Sequence, residues 1–199
     1  MRTVIILHDH VPEGASPDAA DVLAQASAVS QALTALGYQP ISLALTLNLE
    51  AAAAELRRLS PAFVFNLVES VEGRDSRMHW VPSLLESLDL RYTGARTEAM
   101  FLTSGKIAAK RLMRGAGIDT PDWIGPVDGP EAEAFFPGRY IIKPVWEHAS
   151  VGVEDDAVVA CRSADSLRLA LRRRSAAHGE CLAEAFVEGR EFNLSLLAG

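Results

Sequence analysis

Two lysines stand where the chain could bind a phosphorylated ligand. Lys106 falls at the predicted start of a helix, where backbone N–H groups and the helix dipole favour an anion. Lys143 ends the apolar strand YIIKP, so its ammonium would emerge from surroundings of low dielectric constant. The loop at residues 147–152, EHASVG, follows directly, and its small residues would let backbone amides approach a phosphate closely. Together these features predict a phosphate-binding site.

Two carboxylates further along the chain suit the rest of a nucleotide. Glu184 and Glu191 flank an apolar turn that contains Phe186 and Val187. Carboxylates around such a turn could accept hydrogen bonds from an adenine amino group and from ribose hydroxyls, while the aromatic ring packs against the base. Taken singly, each residue has an ordinary interpretation, since a lysine at a strand end is usually a solvated charge and a phenylalanine in a strand usually belongs to the core. Only their combination favours a nucleotide site.

The elements of the first 95 residues predict a parallel sheet covered by helices. Apolar runs predict strands, and helical spacing of apolar residues follows each of them; the strands fall at residues 3–7, 41–45 and 62–68. Alternating strands and helices favour a parallel sheet, in which ligands bind outside the carboxyl ends of the strands. The loops after Leu7 and Val68 are therefore the first places to look for a substrate.

Capping residues mark the predicted helix ends. Ser16 and Asn48 are predicted N-caps, and Gly37 is predicted to end the first helix. Thr97 is predicted to cap a further helix, and Ser104 to begin the next one.

The second part of the chain predicts a small α+β domain. Strand patterns dominate it, at residues 139–144, 151–153, 157–161, 181–187 and 192–197, and one helix is predicted at residues 163–175. The sequence ends directly after the last of these strands, which we interpret as a break within a longer fold.

Charge and composition restrict the class of partner. The chain carries 26 acidic and 19 basic residues, a formal net charge of −7 that disfavours broad binding of nucleic acid. An anionic ligand must then be held by local positive groups. The apolar run at the N-terminus is too short for a signal peptide or a membrane span, and Cys161 and Cys181 are expected to be reduced thiols. These observations predict a cytoplasmic protein that does not bind a membrane.

Five motifs, taken in order, resemble the D-alanine–D-alanine ligase family of ATP-grasp proteins. They are VFNLVE, LLESLDLRYTG, GK followed by AAKRLMRGAGIDTP, YIIKPVWEHASVGV and AEAFVEGREFNLSLL. The resemblance extends from about residue 64 to residue 199, and the last three motifs are specific in combination. It implies an N-terminal Rossmann-like parallel sheet with helices on both faces, the pre-ATP-grasp domain, at residues 1–95. A small α+β ATP-grasp lobe at 96–185 would follow, then the first strand of an otherwise absent large lobe at 186–199.

The resemblance also implies an activity. Family members join a carboxylate to an amine with ATP, through an acylphosphate, and use Mg²⁺. Two acids and an asparagine of the large lobe hold the metal, which places no metal ligand before Gly199 and no catalytic residue in this segment. The 199 residues alone are therefore expected to be inactive. The alternative is a non-catalytic module that binds a nucleotide or another small molecule on the same scaffold.

By position, the resemblance assigns ten residues to ATP. Lys106 and Lys143 would contact the phosphates, and Glu184 would receive the adenine amino group. Val187 would meet the adenine ring through its backbone. The remaining assigned residues contribute to the strand wall, the phosphate-closing loop, the hinge and the ribose contact: Ile141, Glu147, Ser150, Val151, Phe186 and Glu191.

Departures from the family pattern concern the amino-acid substrate. The first loop, HDHVPEGASPDAADV, lacks the glycine-rich stretch with a serine and a glutamate, and Ala149 replaces a family serine. The segment VESVEGRDSRMHW replaces a glycine-rich one. Five residues could instead face an amino-acid or peptide substrate: Asp9, Glu13, Glu69, Ser70 and His79. For His79 the alternative is that it merely caps or packs on a helix. We expect an amino-acid or peptide pair other than two D-alanines, and a homodimer through the N-terminal domain.

Overall fold

The computed structural model divides into two compact units, Met1–Leu112 and Met113–Gly199. It describes residues 1–15, 17–126, 135–148, 155–192 and 194. In the first unit a parallel sheet has the strand order β2-β1-β3. The elements are β1 (Arg2–Asp9), α1 (Pro17–Ala35), β2 (Tyr38–Leu45), α2 (Leu49–Leu59), β3 (Phe63–Asn66), a 3₁₀ turn (Asp75–Arg77), α3 (Trp80–Ser87), α4 (Thr97–Ser104) and α5 (Lys106–Gly115), whose last three residues fall in the second unit.

Alternation along the central strand β1 explains why helices cover both faces of this sheet. Val4 and Ile6 point to one face and pack with Ala26 and Leu33 of α1. Ile5 and Leu7 point to the other face, where α2 and α3 supply Ala52, Leu56, Val81 and Leu85. All four β1 residues are fully buried, and each contributes about 1.5–3 kcal/mol of burial free energy. The predicted parallel sheet with helices on both faces is confirmed.

Two of the predicted helix ends in this unit are seen and two are wrong. Asn48 caps α2, because its Oδ1 accepts the N–H of Ala51 at 3.0 Å, and Gly37 follows α1 with a φ of 84°. Thr97 is the first residue of α4 instead of its cap, and its hydroxyl donates to Glu86 at 2.8 Å. Ser104 ends α4 instead of beginning α5, because Gly105 has extended backbone angles (φ −86°, ψ 116°) that separate the two helices. Ser16 lies outside the described residues.

The second unit is built on an antiparallel sheet with the strand order β4-β7-β5-β6. Its elements are β4 (Trp123–Ile124), β5 (Gly138–Pro144), a 3₁₀ turn (Asp155–Ala157), β6 (Val158–Cys161), α6 (Ala164–His178) and β7 (Cys181–Ala185). Mixed helix and antiparallel sheet confirm the predicted α+β character. The two-residue strand β4 was not predicted, and the predicted strands at 151–153 and 192–197 lie wholly or mostly outside the described residues.

Helix α6 covers one face of the antiparallel sheet. Tyr140 and Ile142 of β5 pack with Leu167 and Leu171 of α6, together with Cys161, Cys181 and Ala183. The alternate residues of β5, Arg139, Ile141 and Lys143, therefore lie on the opposite face. Within the described part of the chain, no helix is long and apolar enough to cross a membrane.

The predicted boundary at residues 95 and 96 differs in position from the division after Leu112. Helix α4 contacts α3, and the hydroxyls of Tyr92 and Thr97 both bond to Glu86, which joins these segments to the first unit. The lobe boundaries implied by the family resemblance stay a prediction.

Candidate functional site

The face of the antiparallel sheet opposite α6 brings together residues that were predicted separately. In the register of β5 and β7, Ile141 lies opposite Glu184 and Lys143 lies opposite Leu182. Lys143 and Glu184 are therefore diagonal neighbours on the same face. The Nζ atom of Lys143 donates to Oε1 of Glu184 at 2.9 Å, although the two residues are 41 positions apart in the chain.

The Lys143–Glu184 pair is only partly open to solvent. The side chain of Lys143 is 27% exposed and that of Glu184 is 15% exposed. Glu184 lies between Ile141 on β5 and the buried Trp123 on β4, which explains its low exposure. Partial burial weakens the screening of the two charges by water, so their interaction is stronger than that of a surface ion pair. The face thus offers a cation, a hydrogen-bond acceptor and an apolar wall side by side.

The chain leaves the sheet directly after Glu184, and one arginine contacts the departing segment. The N–H of Phe186 donates to the carbonyl of Arg139 at 3.0 Å, and the guanidinium of Arg139 lies 4.3 Å from the centroid of the Phe186 ring. The same guanidinium donates to Glu188 at 2.5 Å. The sequence interpretation missed Arg139. The available signal was its position four residues before Lys143, which places both cations on one face of β5.

Val187 and Glu191, also assigned to this site, lie on the surface. Val187 is 68% exposed, and Glu191 is exposed as well. Next to Glu191, the guanidinium of Arg190 lies 5.1 Å from the ring of Phe192. Of the residues assigned to the nucleotide, the structure places four on the sheet face opposite α6: Ile141, Lys143, Glu184 and Phe186.

The loop predicted to close over phosphates begins beside β7. Directly after β5, the N–H of Val145 donates to the carbonyl of Glu180 at 2.8 Å, and Nε1 of Trp146 donates to the Glu180 carboxylate at 3.2 Å. Glu147 follows this anchored pair and is half buried. The other two loop residues assigned to ATP, Ser150 and Val151, lie outside the described residues.

Lys106 belongs to the first unit. It is the first residue of α5, as predicted, and its side chain is half buried. A cation at the first residue of a ten-residue helix lies beside backbone N–H groups that have no partner within the helix. That surrounding favours an anionic ligand.

Asp9 connects the carboxyl ends of β1 and β3. Its carboxylate accepts the N–H of Glu69 at 3.1 Å, the N–H of Ser70 at 3.1 Å and the hydroxyl of Ser70 at 3.0 Å. Burial raises the pKa of Asp9 above its usual value, and the hydrogen bonds from Ser70 and Glu69 offset part of that rise. The structure therefore brings Asp9, Glu69 and Ser70 together, with the Glu69 side chain exposed.

The other two substrate candidates lie in different surroundings. Glu13 is exposed in the loop between β1 and α1. His79 precedes α3 without capping it through its side chain. Its ring packs edge-on against Phe101 of α4 at 5.1 Å and against Trp80 at 6.3 Å. These contacts fit the alternative that the sequence left open for His79, in which the ring packs on a helix.

Comparison with known proteins gives consistent results in sequence and in fold. No family model matches the chain. A D-alanine–D-alanine ligase of Aquifex aeolicus is 31% identical over 204 residues, which cover all of this chain and 64% of the relative. The crystal structure of the D-alanine–D-alanine ligase from Bacillus anthracis matches 95% of this chain with a TM-score of 0.66 at 22% identity, over 59% of its own length. The same enzyme crystallised with ATP matches with a TM-score of 0.62 at 20% identity, over 60% of its length.

The chain thus spans about three fifths of the length of these relatives. At 22% identity and below, the structural likeness shows the fold, and the sequence likeness to the Aquifex aeolicus protein supplies the relationship.

Proposed function

Because this chain is a D-alanine–D-alanine ligase-like protein of the ATP-grasp superfamily, we propose that it forms the substrate domain and the small nucleotide-binding lobe of an ATP-dependent carboxylate–amine ligase. The observation that carries the proposal is the Lys143–Glu184 pair, at 2.9 Å on the face of the antiparallel sheet opposite α6. The family resemblance assigned both residues to ATP from positions 41 apart, and the fold places them in contact.

The residues beside the pair fit an adenine nucleotide. Lys143 would donate to a phosphate oxygen, a charge-assisted contact that offsets the net negative charge of the chain. Glu184 would accept a hydrogen bond from the amino group of the base. Ile141 and Phe186 would form the apolar wall for the ring, and Val187 would meet it through its backbone. A structural neighbour, the D-alanine–D-alanine ligase of Bacillus anthracis, was crystallised with ATP, which supports ATP as the nucleotide.

In the proposed reaction, a substrate carboxylate would attack the γ-phosphorus of ATP, which releases ADP and forms an acylphosphate. The amine would then displace inorganic phosphate and lose a proton, which gives the amide. Lys143 holds the phosphates during this exchange. Among the described residues, no group of three or more His, Cys, Asp or Glu side chains could hold a metal ion. The family resemblance places the ligands of Mg²⁺ in the part of its relatives that the chain does not span.

For the substrate, we propose an amino-acid or peptide pair other than two D-alanines. A desolvated ammonium needs a fixed carboxylate partner. Asp9 already accepts three hydrogen bonds from Glu69 and Ser70, so it is better suited to fixing that loop than to binding substrate directly. The exposed carboxylate of Glu69, whose backbone Asp9 holds, is then the candidate partner for the ammonium.

Phosphate release by the intact protein tests both statements. With ATP and Mg²⁺, we expect release to depend on the amino-acid pair supplied, and D-alanine alone to be a poor substrate. Glu69→Gln should raise the KM for the amino-acid substrate and leave the KM for ATP unchanged, with Glu50→Gln, an exposed glutamate of α2, as the matched control. Selective turnover of D-alanine with itself would contradict the substrate proposal. Nucleotide binding without release under any pair would favour the non-catalytic module.

A further inference from the structure

The segment that follows β7 is held from one side by a residue to which no role in ligand binding has been given. Arg139 accepts the N–H of Phe186 through its backbone, at 3.0 Å, and stacks its guanidinium on the Phe186 ring, at 4.3 Å. It also donates to the carboxylate of Glu188. Both chain neighbours of Val187 are therefore bound to Arg139, while Val187 itself is 68% exposed.

The three contacts differ from an ordinary surface ion pair. The Arg139 side chain is 51% exposed and Glu188 is 77% exposed, so their charge interaction alone would stabilise the segment little. The stacked guanidinium adds an attraction to the face of the Phe186 ring. A backbone hydrogen bond, a stacked ring and an ion pair thus tie Phe186 and Glu188 to Arg139 near the start of β5, and the backbone of Val187 between them has little freedom to move independently.

We propose that Arg139 is a positioning residue for base selectivity. By holding Phe186 and Glu188, it fixes the Val187 backbone relative to Glu184, which lies two residues before Phe186 and pairs with Lys143. The inference rests on the proposed function, because it assumes that Glu184 and Val187 meet the base. Arg139 acts through the segment and touches neither the base nor the phosphates. Its loss should therefore change the discrimination between bases more than the affinity for the triphosphate.

The attachment of residues 186–188 to Arg139 can be measured in the absence of nucleotide. Hydrogen exchange of the Phe186 amide in the intact protein reports how often the segment leaves Arg139. We expect Arg139→Ala to raise the exchange rate about three- to tenfold, because the variant loses the stacking on Phe186 and an exposed ion pair. For Arg139→Lys, which keeps the charge but not the planar group, the exchange rate should lie between those of the original protein and Arg139→Ala. Arg168→Ala, which removes an exposed arginine paired with Asp165 on α6, should leave the rate unchanged.

Base selectivity is measured by the affinities for ATP, ITP and inorganic tripolyphosphate. ITP carries a carbonyl in place of the amino group that Glu184 would receive. We expect Arg139→Ala to reduce the preference for ATP over ITP about three- to tenfold and to leave tripolyphosphate binding within twofold of the original protein. Glu188→Gln, which removes only the ion pair, should show a smaller loss of preference, so the test also holds if Arg139→Ala fails to fold.

The outcomes separate the inference from the proposed function. Unchanged exchange at Phe186 in Arg139→Ala would overturn the inference, whatever nucleotide binding shows. Faster exchange with an unchanged ATP preference would overturn it as well, and an equal loss for all three ligands would assign Arg139 to the phosphates instead. If the original protein binds none of the three ligands, the proposed function fails, and the base selectivity of Arg139 fails with it.

Discussion

Asp9 illustrates how one side chain serves the candidate substrate region. It ends the central strand β1, and its carboxylate accepts three hydrogen bonds from residues that lie 60 and 61 positions away in the chain. A charged acceptor suits those donors, yet partial burial raises its pKa because desolvation outweighs the hydrogen bonds. The sequence could place Asp9 at the carboxyl end of a strand. It could not show that Ser70 lies beside it, since contacts of such separation depend on the fold.

The raised pKa of Asp9 predicts a specific pH dependence of stability. A folded-state pKa above the unfolded value means that the folded protein binds the proton more tightly. Relative to Asp9→Asn, which cannot ionise, the original protein should be most stable below the usual pKa of 3.8 and lose that advantage as pH rises through the raised value. Chemical unfolding between pH 3 and pH 7 measures the difference. Asp21→Asn, an exposed carboxylate of α1, is the control, and a difference that grows with pH would contradict the assignment.

At the scale of elements, helix α6 supports the strands that carry the candidate site. Its Leu167 and Leu171 pack beneath β5 and β7, so the face with Lys143 and Glu184 depends on this helix for its shape. The helix begins with a capping box, in which the Ser163 hydroxyl accepts the N–H of Ser166 and the Ser166 hydroxyl accepts the N–H of Ser163, both at 3.2 Å. The helix was predicted, although it extends to His178, three residues further than expected.

Removal of this cap should destabilise the second unit without touching the site directly. Ser163→Ala leaves the N–H of Ser166 without its side-chain acceptor, and we expect a loss of about 0.5–2 kcal/mol in the free energy of unfolding. Ser175→Ala, in the last turn of the same helix, should cost less, because alanine is the better helix former. Urea unfolding of the two variants makes the comparison. Equal effects would show that the capping box does not stabilise α6.

The strands show what could not be predicted. The apolar run of β1 and the alternation of β5 were sufficient to predict both strands. The two residues of β4 are too few to show a period, although they place Trp123 opposite Glu184. The contacts of Arg139 were also missed, because a charge on an exposed strand position has no pattern of its own and its partners lie 47 and more positions away.

At the scale of the whole molecule, the chain combines two units of different architecture. The parallel sheet carries the Asp9 region, and the antiparallel sheet carries the Lys143–Glu184 pair. The order of the motifs along the chain predicted both architectures and the relationship to the ligases, because each motif corresponds to its own strand, helix or loop. The chain spans 64% of its Aquifex aeolicus relative, so the complete reaction, the substrate pair and the homodimer stay proposals.

The affinity of the intact protein for ATP, measured by calorimetry for Lys143→Ala, tests the central proposal most directly. Loss of the ammonium removes a charge-assisted phosphate contact together with the 2.9 Å ion pair to Glu184. We predict a loss of roughly 1.5–3 kcal/mol, about ten- to a hundredfold in Kd, with Arg168→Ala unchanged. Equal ATP affinity in Lys143→Ala and the original protein would contradict the assignment of this face to the nucleotide.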